Sequence, residues 1–336
     1  MAFIANTAGR WTGSQSRDEK ESVLDAVINM APQQIPLLAA INRGPNPGNF
    51  KYEWLNDYAG ARPTAMTGVK LRGEGADAVP SATRSRVMCF NRTGIFGDSF
   101  GVTFSQQAMN LHGVSDEVGY QSVEMVKSRL VDLEFAILNG VIDIDSLASP
   151  NSGSTGLIRK MGGLLDMVTT PTSYYSQGSL ATGAQAYTAA ASTVFAEDDI
   201  HTAQQTCAER GGAPNRHKLV LAGGTVKRKV SQLFAPASGS TSITRRNMGG
   251  GSAKTVTLPV DYIETDFGML ELMWHQDMPA QQLFALDLEF VELMPFRDFQ
   301  TYELGLVGSE NKYLVEGEFG LRWKAFNTGW RLTGIS

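Results

Sequence analysis

The residue types that most often bind metals are present, but their spacing does not form a site. The four histidines are scattered, with neither a His-x-His nor a His-x-x-x-His pair; they are His112, His201, His217 and His275. The nearest approach to a pair is His275 with Asp277, which we interpret as a polar turn between two strands. Cysteine-rich zinc sites need closely spaced thiols, and Cys89 and Cys207 are far apart in the chain. We therefore predict no metal site.

The sequence also contains no complete motif for phosphate binding and no cysteine in a setting that would make it a nucleophile. Residues 249–255 (Gly-Gly-Gly-Ser-Ala-Lys-Thr) resemble a phosphate-binding loop, but Ala253 replaces the required glycine and a strand, not a helix, is predicted to follow. Without a helix N-terminus the phosphate has no dipole to face. We interpret this segment as a Gly/Ser loop, and both cysteines as small buried side chains. The sequence thus predicts no catalytic residue, no cofactor and no enzyme.

Composition limits the function classes further. The chain has 336 residues, of which 42% are hydrophobic and 19% charged, and its net charge is −5. This acidic balance argues against tight binding of nucleic acid through phosphate neutralisation. The first residues lack the basic and apolar runs of a signal peptide, and no apolar stretch approaches the ~20 residues that span a bilayer. We expect a cytoplasmic chain with reduced thiols and no membrane contact.

The first hundred residues suggest an arm followed by a projecting hairpin. Residues 1–22 are polar and rich in Gly, and the short helical pattern over 21–42 is interrupted by Pro32 and Pro36. Alternating apolar residues predict extended arms over 48–58 and 84–105. The intervening residues 59–82 contain four glycines and almost no large apolar side chain, so they cannot bury a core. A loop of this length is unusual inside one domain and suits contact with another subunit.

Residues 115–139 carry the clearest helical pattern of the chain. Ser115 is the predicted N-cap, Asp116 and Glu117 suit the helix dipole, and Gly140 is the predicted terminator. Spacings of three and four residues place one apolar stripe along this helix. Its members are Val123, Val126, Leu130, Leu133 and Ile137.

The remainder of the chain predicts a mixed α/β unit and a closing sheet. Helices are expected at about 195–210 and 224–234, with a buried strand at 217–221 between them and further strands at 256–274. Residues 145–158, 169–193 and 236–254 are rich in small polar residues and are interpreted as surface loops. From 282 to 336 all predicted elements are strands, since aromatic and β-branched residues dominate there.

This order of elements, with several local segments, resembles the Hong Kong 97-type capsid fold of tailed double-stranded DNA phages. The first segment resembles an Asn-x-Thr-Gln-Ile-Phe stretch of one branch of major capsid proteins, with Gly94 in place of Gln. The matching segments are Asn91–Phe96, Arg129–Gly140, Arg159–Leu164, Thr265–Gly268, Met278-Pro279, Leu286-Asp287, and Gly308-Ser309 through Lys312 to Glu316-x-Glu318-Phe319. Together they cover roughly residues 85–336.

The resemblance implies an α+β fold divided into named parts. These are an N-terminal arm (1–47), an extended loop (48–105), a peripheral domain with a spine helix (106–164), an axial domain (165–280) and a closing sheet of the peripheral domain (281–336). It also implies self-assembly into hexamers and pentamers of an icosahedral head. Scaffold and portal proteins, a decoration protein and weakly held double-stranded DNA are the implied partners, and the virion is the implied location, after assembly in the host cytoplasm.

Three groups of side chains become candidate contacts. The first would give the extended loop one apolar face that packs on a neighbour, or else packs within its own subunit; it comprises Phe50, Tyr52, Trp54, Phe100, Val102 and Phe104. The second, Arg245 and Arg246, would meet carboxylates near the capsomer axis or remain solvated. The third, Arg10, Arg17 and Lys20, would face inward toward scaffold or DNA, or have no fixed partner.

Three other readings of the sequence stay open at this point. An encapsulin-like nanocompartment would share the fold and enclose a cargo enzyme. A soluble α/β enzyme with an unrecognised site would form a small oligomer with a ligand pocket. A tail or baseplate protein would form rings or tubes.

Overall fold

A computed structural model describes residues 35–57, 66, 71–75, 77, 86–109, 114, 116–142, 159–178, 184–190, 195–212, 216–233 and 261–335. Its helices are α1 (Pro36–Ala40), α2 (Phe104–Ala108), α3 (Glu117–Asn139), α4 (Leu164–Thr169), α5 (Glu197–Glu209) and α6 (Gly224–Leu233). Its strands are β1 (Asn42–Arg43), β2 (Lys51–Asn56), β3 (Val87–Arg92), β4 (Gly94–Thr103), β5 (Tyr175–Gln177), β6 (Tyr187–Ala190), β7 (Lys218–Ala222), β8 (Tyr262–Thr265), β9 (Gly268–Trp274), β10 (Leu283–Leu286), β11 (Val291–Val307), β12 (Glu310–Trp323) and β13 (Trp330–Thr333).

These strands form three sheets. A four-stranded sheet has the order β1-β11-β12-β4, a six-stranded sheet has the order β6-β13-β10-β7-β9-β8, and a three-stranded sheet has the order β2-β3-β5. One apolar core lies beneath the C-terminal half of α3 and reaches one face of the six-stranded sheet. A second core fills the space between the other face of that sheet and the helices α5 and α6. The predicted mixed α/β unit is thus confirmed.

The predicted closing sheet is wrong as a single unit. Strands β11 and β12 pair antiparallel over most of their length and form the long hairpin of the four-stranded sheet. Strands β10 and β13, which the sequence placed in the same sheet, instead pair in the six-stranded sheet, where β10 lies between β7 and β13. Fully apolar β10 requires cover on both faces, and the six-stranded sheet provides it.

The predicted spine helix is confirmed, with two differences at its ends. The N-cap is Asp116, whose carboxylate accepts a hydrogen bond from the Val118 amide at 3.1 Å. Gly140 ends the helix with a negative φ of −57°, not in a left-handed conformation. A Cβ there would lie 2.5 Å from the carbonyl oxygens of Ala136 and Met161. The glycine is needed for close backbone packing, not for a turn. At 1.5 Å per residue the helix is roughly 34 Å long.

Only the C-terminal part of the apolar stripe on α3 is buried within the chain. Leu133 and Ile137 lie in the core, Val126 and Leu130 are half-buried, and Val123 is exposed. The periodicity was read correctly, but amphipathicity marks a surface that some element must cover and does not say that the same chain covers it. The first half of α3 therefore extends beyond the subunit's own core.

Glu134 on α3 holds three distant segments together. Its carboxylate accepts hydrogen bonds from the backbone amides of Leu37 at 2.8 Å and Leu38 at 2.6 Å, and lies 2.8 Å from Nε2 of His275. Ile35, the N-cap of α1, supplies no side-chain acceptor, so Glu134 caps that helix from outside. Pro36, expected to break a helix, instead begins α1, where its missing amide costs nothing.

His275 lies in the predicted turn between two strands, β9 and β10, but it is not a solvent-facing residue there. Its side chain is buried, and its Nδ1 accepts a hydrogen bond from the Asp277 amide at 3.2 Å. This arrangement leaves Nε2 to donate its proton to Glu134. The proximity of His275 to Asp277 in the sequence was real, but the side-chain partner of His275 is a carboxylate 141 positions away.

The region 169–193 was also predicted wrongly as surface loop in its described parts. Residues Pro171–Tyr174 form a 3₁₀ turn, followed by β5, and β6 begins at Tyr187. Tyr174 is fully buried and donates a hydrogen bond to Asp166 at 2.5 Å, and burial raises the pKa of its hydroxyl above the ordinary range. Because the residues around Tyr174 in the sequence are small and polar, the sequence contained no sign that this large side chain is part of the core.

Removing the Glu134 carboxylate should strongly destabilise the subunit. In Glu134→Ala the two α1 amides and the His275 ring stay buried without an acceptor, so the free energy of unfolding should fall by about 3 kcal/mol. Glu134→Gln keeps one oxygen and should lose less. Chemical denaturation of the dispersed subunit measures both. The control is Glu124→Ala on the same helix, which removes a partly exposed carboxylate paired with Lys127 and should stay within about 0.5 kcal/mol of the wild type. Equal losses for Glu134→Ala and Glu124→Ala would contradict the role.

Both thiols should be unreactive in the native chain. Burial raises the pKa of the Cys89 thiol to about 12, and burial raises the pKa of Cys207 despite the opposing charge of Lys218. Because the thiolate is the reactive form, a maleimide at pH 8 should label neither cysteine until the chain is unfolded. Mass spectrometry of the labelled protein is the measurement. Rapid labelling of either thiol in the folded subunit would show that the core opens readily.

Candidate assembly surfaces

The base of the predicted extended loop is a hairpin fixed to the body of the subunit. Strands β2 and β3 pair antiparallel from Lys51 with Arg92 to Asn56 with Val87. The chain thus leaves the body after β2 and returns beside it at β3. We call residues 57–86, which connect these strands, the insert. The predicted hairpin is confirmed at its base, while most of the insert lies outside the described residues.

The second predicted arm, residues 84–105, is not one strand. It divides at Thr93: β3 continues the hairpin, whereas β4 pairs with β12 in the four-stranded sheet. Phe104 lies beyond the strand altogether and begins α2. The six apolar residues proposed as one face therefore belong to different elements of the fold, and the prediction of a single shared face is wrong.

The members of that group differ in exposure. Tyr52 and Val102 are buried within the chain, so they have no surface for another subunit. Trp54 packs half-buried against the core, and the ring of Phe100 stacks on Tyr313 with centroids 5.2 Å apart. Phe50, beneath the Arg159 guanidinium, and Phe104 keep substantial exposed surface. The aromatic face of β2, which carries Tyr52 and Trp54, points inward because the body of the subunit lies on that side.

Tyr52 fastens the hairpin to β12. Its hydroxyl donates to the Leu321 carbonyl at 2.7 Å, and burial raises its pKa above the ordinary range, which keeps it a neutral donor. Gly320 lies directly beneath the ring, and a Cβ at that position would be 2.5 Å from the hydroxyl oxygen. Glycine is required there for the close approach of ring and backbone.

Three of the segments that carry the family resemblance meet at this base. The Asn91 amide group donates to the carbonyl of Gly162 at 3.1 Å and accepts from its backbone amide at 3.1 Å. Thr93 donates to Glu318 at 2.5 Å, and Arg159 donates to the same carboxylate oxygen at 2.7 Å. Glu318 is buried and has Arg297 3.3 Å from its other oxygen. These residues hold the end of the hairpin at which Lys51 pairs with Arg92, whereas the insert joins the opposite end, at Asn56 and Val87.

One sequence pattern suggests chemistry that the structure does not provide. Gly97-Asp98-Ser99-Phe100-Gly101 matches the Gly-x-Ser-x-Gly pattern that α/β-hydrolases place on a sharp turn between a strand and a helix. Here the five residues lie in the middle of β4, paired in continuous register with β12. His201, His217 and His275 belong to the other end of the fold, around the six-stranded sheet. No nucleophile turn exists at Ser99.

The other candidates for chemistry and contact fall into two groups. Among the described residues no cluster of three metal-binding side chains occurs, and no described helix is both long and apolar enough to cross a membrane. The glycine-rich segment 249–255, the pair Arg245 and Arg246, and the arm residues Arg10, Arg17 and Lys20 lie outside the described residues. Those contacts stay predictions.

Lys218 is a buried cation that sequence analysis missed. Its ammonium group donates to the thiol of Cys207 at 3.0 Å and to the carbonyl of Gly212 at 3.1 Å. The thiol in turn lies 3.1 Å from the Asn327 carbonyl. This cluster links α5 to β7 inside the second core and presents nothing to solvent, so its role is structural. Only the unusual lysine in an otherwise apolar strand could have suggested it.

Comparison with known proteins identifies the family to which this chain belongs. The model of the family described as SU10 major capsid protein matches residues 5–336. A search of curated protein sequences found no significant match.

Solved capsid structures share the fold at low sequence identity. The capsid of a native GTA particle is 11% identical with a TM-score of 0.64, covering 96% of this chain and 98% of that one. The capsid of cyanophage A-1(L) is 12% identical with a TM-score of 0.65, covering 97% and 99%. Microbacterium phage Oxtober96 gives 16% identity and a TM-score of 0.54, covering 91% and 90%. The predicted α+β, Hong Kong 97-type fold is thereby confirmed.

The family model matches nearly the whole sequence, and the fold is shared with phage capsids. The chain belongs to the SU10 major capsid protein family, and it is a structural protein of the virion that self-associates into the capsid, not an enzyme.

Proposed function

We propose that copies of this chain form the hexamers and pentamers of an icosahedral head around double-stranded DNA, with the insert of each copy lying over an adjacent copy. One observation carries the proposal. Met66 and Leu71, two apolar residues of the insert, are each 71% exposed in the single chain. Their connection to a rigid hairpin base places apolar surface outside the subunit core, which favours cover by another subunit.

The sheets support the domain division that the resemblance implies. The four-stranded sheet with α3 would form the peripheral domain, and the six-stranded sheet with α5 and α6 would form the axial domain near the capsomer centre. Strands β10 and β13 would then belong to the axial domain, although the chain reaches them after residue 280. Strand β4 would belong to the peripheral domain.

Other partners follow from the family alone and are part of the proposal. Scaffold and portal proteins would direct closure of the shell in the host cytoplasm, and a decoration protein could bind its outside. The free thiols of Cys89 and Cys207 suit assembly in that reducing compartment. Arg10, Arg17 and Lys20 would face the scaffold or the packaged DNA, and Arg245 and Arg246 would face the capsomer axis.

The proposal is tested by expressing the chain alone and together with the scaffold protein of the same phage. Negative-stain electron microscopy and sedimentation velocity should show closed shells, or stable pentamers and hexamers. Modest interfaces suffice because closure of the shell combines many of them. A chain that remains a monomer or dimer with scaffold present would contradict assembly, and rings or tubes would indicate a tail protein.

The insert can be tested separately from the fold. Deletion of residues 60–82, with a short glycine linker joining the ends, should leave the denaturation midpoint of the subunit nearly unchanged because the hairpin base is retained. The same variant should form no capsomers in sedimentation velocity. Deletion of part of segment 145–158, which is also rich in small residues, is the control and should be tolerated. Normal shells from the 60–82 deletion would remove the insert from the assembly contacts.

A further inference from the structure

The second core contains an amine and a thiol in direct contact. Nζ of Lys218 on β7 lies 3.0 Å from Sγ of Cys207 on α5, and the two residues are 0% and 1% exposed. The ammonium also donates to the Gly212 carbonyl. Burial raises the pKa of the Cys207 thiol, so neither partner carries a formal negative charge. Because a buried cation without a compensating anion is costly, this contact invites a chemical as well as a packing explanation.

The surroundings hold the two atoms in place. Sγ lies 3.1 Å from the carbonyl oxygen of Asn327, and a Cβ at Gly212 would lie 2.6 Å from the same sulfur. The backbone of Lys218 is fixed because β7 lies between β9 and β10 in the six-stranded sheet. Atoms held about 3–3.5 Å apart in this way are already at the separation from which a bond can form.

We propose that Cys207 and Lys218 are a modification site, at which a small hydroperoxide converts the contact into a covalent S–N bond. The bond would join α5 directly to β7 inside the second core. It would also remove the buried positive charge, because the nitrogen of the product is neutral. This chemistry is a property of the single subunit and does not depend on the proposed function.

The reaction consumes one molecule of peroxide. The Cys207 sulfur attacks a peroxide oxygen, the O–O bond breaks, and the departing hydroxide takes the thiol proton and leaves as water. Nζ of Lys218 then gives one proton to solvent and attacks the sulfur of the resulting sulfenic acid. The S–O bond breaks, and this second hydroxide leaves as water with another proton from nitrogen. Sulfur is oxidised by two electrons, and the peroxide is reduced to two water molecules.

The position of the amine favours the S–N bond over other products. A sulfenic acid condenses with a nearby thiol or nitrogen, or else is oxidised further. The other thiol of the chain, Cys89, belongs to the first core, whereas Lys218 already touches the sulfur. Burial excludes a bulky maleimide, but hydrogen peroxide is hardly larger than water and enters through small local openings of the fold. The raised pKa of the thiol makes the first step slow.

A protein of the virion meets two redox conditions in turn. Thiols stay reduced in a cytosol, and oxidised sulfur persists outside cells. With assembly in the host cytoplasm, as proposed, the pair would stay open while subunits fold and assemble. The bond would form later, in the released particle, and would stabilise each subunit after its last rearrangement.

Peptide mass spectrometry of the full chain tests the bond. The folded protein is kept in hydrogen peroxide, then unfolded with free thiols blocked and digested with trypsin. Cleavage at Arg210 and Arg216 separates Cys207 from Lys218 unless the two are bonded. The expected product is the two peptides joined, lighter than their sum by two hydrogen atoms, and separated again by a thiol reductant.

Cys89 is the internal control. It is as buried as Cys207, but its side-chain partner is the amide of Asn56 at 3.4 Å, which is not a nucleophile. We therefore expect Cys89 to be recovered without a linked peptide. The variants Cys207→Ser and Lys218→Met, checked for folding by circular dichroism, should each abolish the linked product.

Stability gives a second readout. Peroxide treatment should move the denaturation midpoint of the wild type to a higher denaturant concentration and should leave that of Cys207→Ser unchanged. Treated wild type in which Lys218 stays free, with Cys207 unmodified or present as a sulfinic acid, would overturn the proposal. A linked pair that retains an oxygen atom would overturn the direct S–N bond. Because the test needs no shell, a chain that fails to assemble contradicts only the proposed function.

Discussion

A carboxylate inside an apolar core must be met by hydrogen-bond donors, and Glu134 imposes this requirement on the whole subunit. Its partners come from the end of the N-terminal arm and from the turn after β9, so the spine helix cannot pack without both. The arm, the spine helix and the six-stranded sheet are thereby placed relative to one another by a single side chain. Most of the remaining architecture consists of apolar surfaces that fit this arrangement.

Glu318 plays the corresponding role at the end of the hairpin that meets the body of the subunit. It gathers Thr93, Arg159 and Arg297 beside strand β12, where the hairpin of β2 and β3 joins the body. Unlike Glu134, it is balanced by guanidinium groups, which suits a position at the edge of the core. The subunit thus combines a body fixed by buried polar contacts with apolar side chains that are exposed in the single chain.

Elements with strong periodicity were predictable from the sequence, whereas their partners were not. The spine helix, α5, α6 and the buried strand β7 follow from spacing and length, because these depend on local pattern. The buried polar contacts of Glu134, Glu318 and Lys218 could not be predicted from local sequence patterns. The two glutamates bind residues that are far away in the chain. The aromatic face of β2 was recognised, but its direction depends on where the body lies. Sheet membership of β4, β10 and β13 failed for the same reason.

The short parallel pairing of β1 with β11 has a mechanical consequence. It consists of two residue pairs, Asn42 with Glu292 and Arg43 with Leu293, and it follows α1 in the chain. Tension applied to the arm at residue 35 is therefore borne first by the hydrogen bonds of Leu37 and Leu38 to Glu134, before it reaches any strand. A pull on the arm therefore loads the C-terminal part of the spine helix, where Glu134 lies, and through it the apolar core beneath that part of the helix.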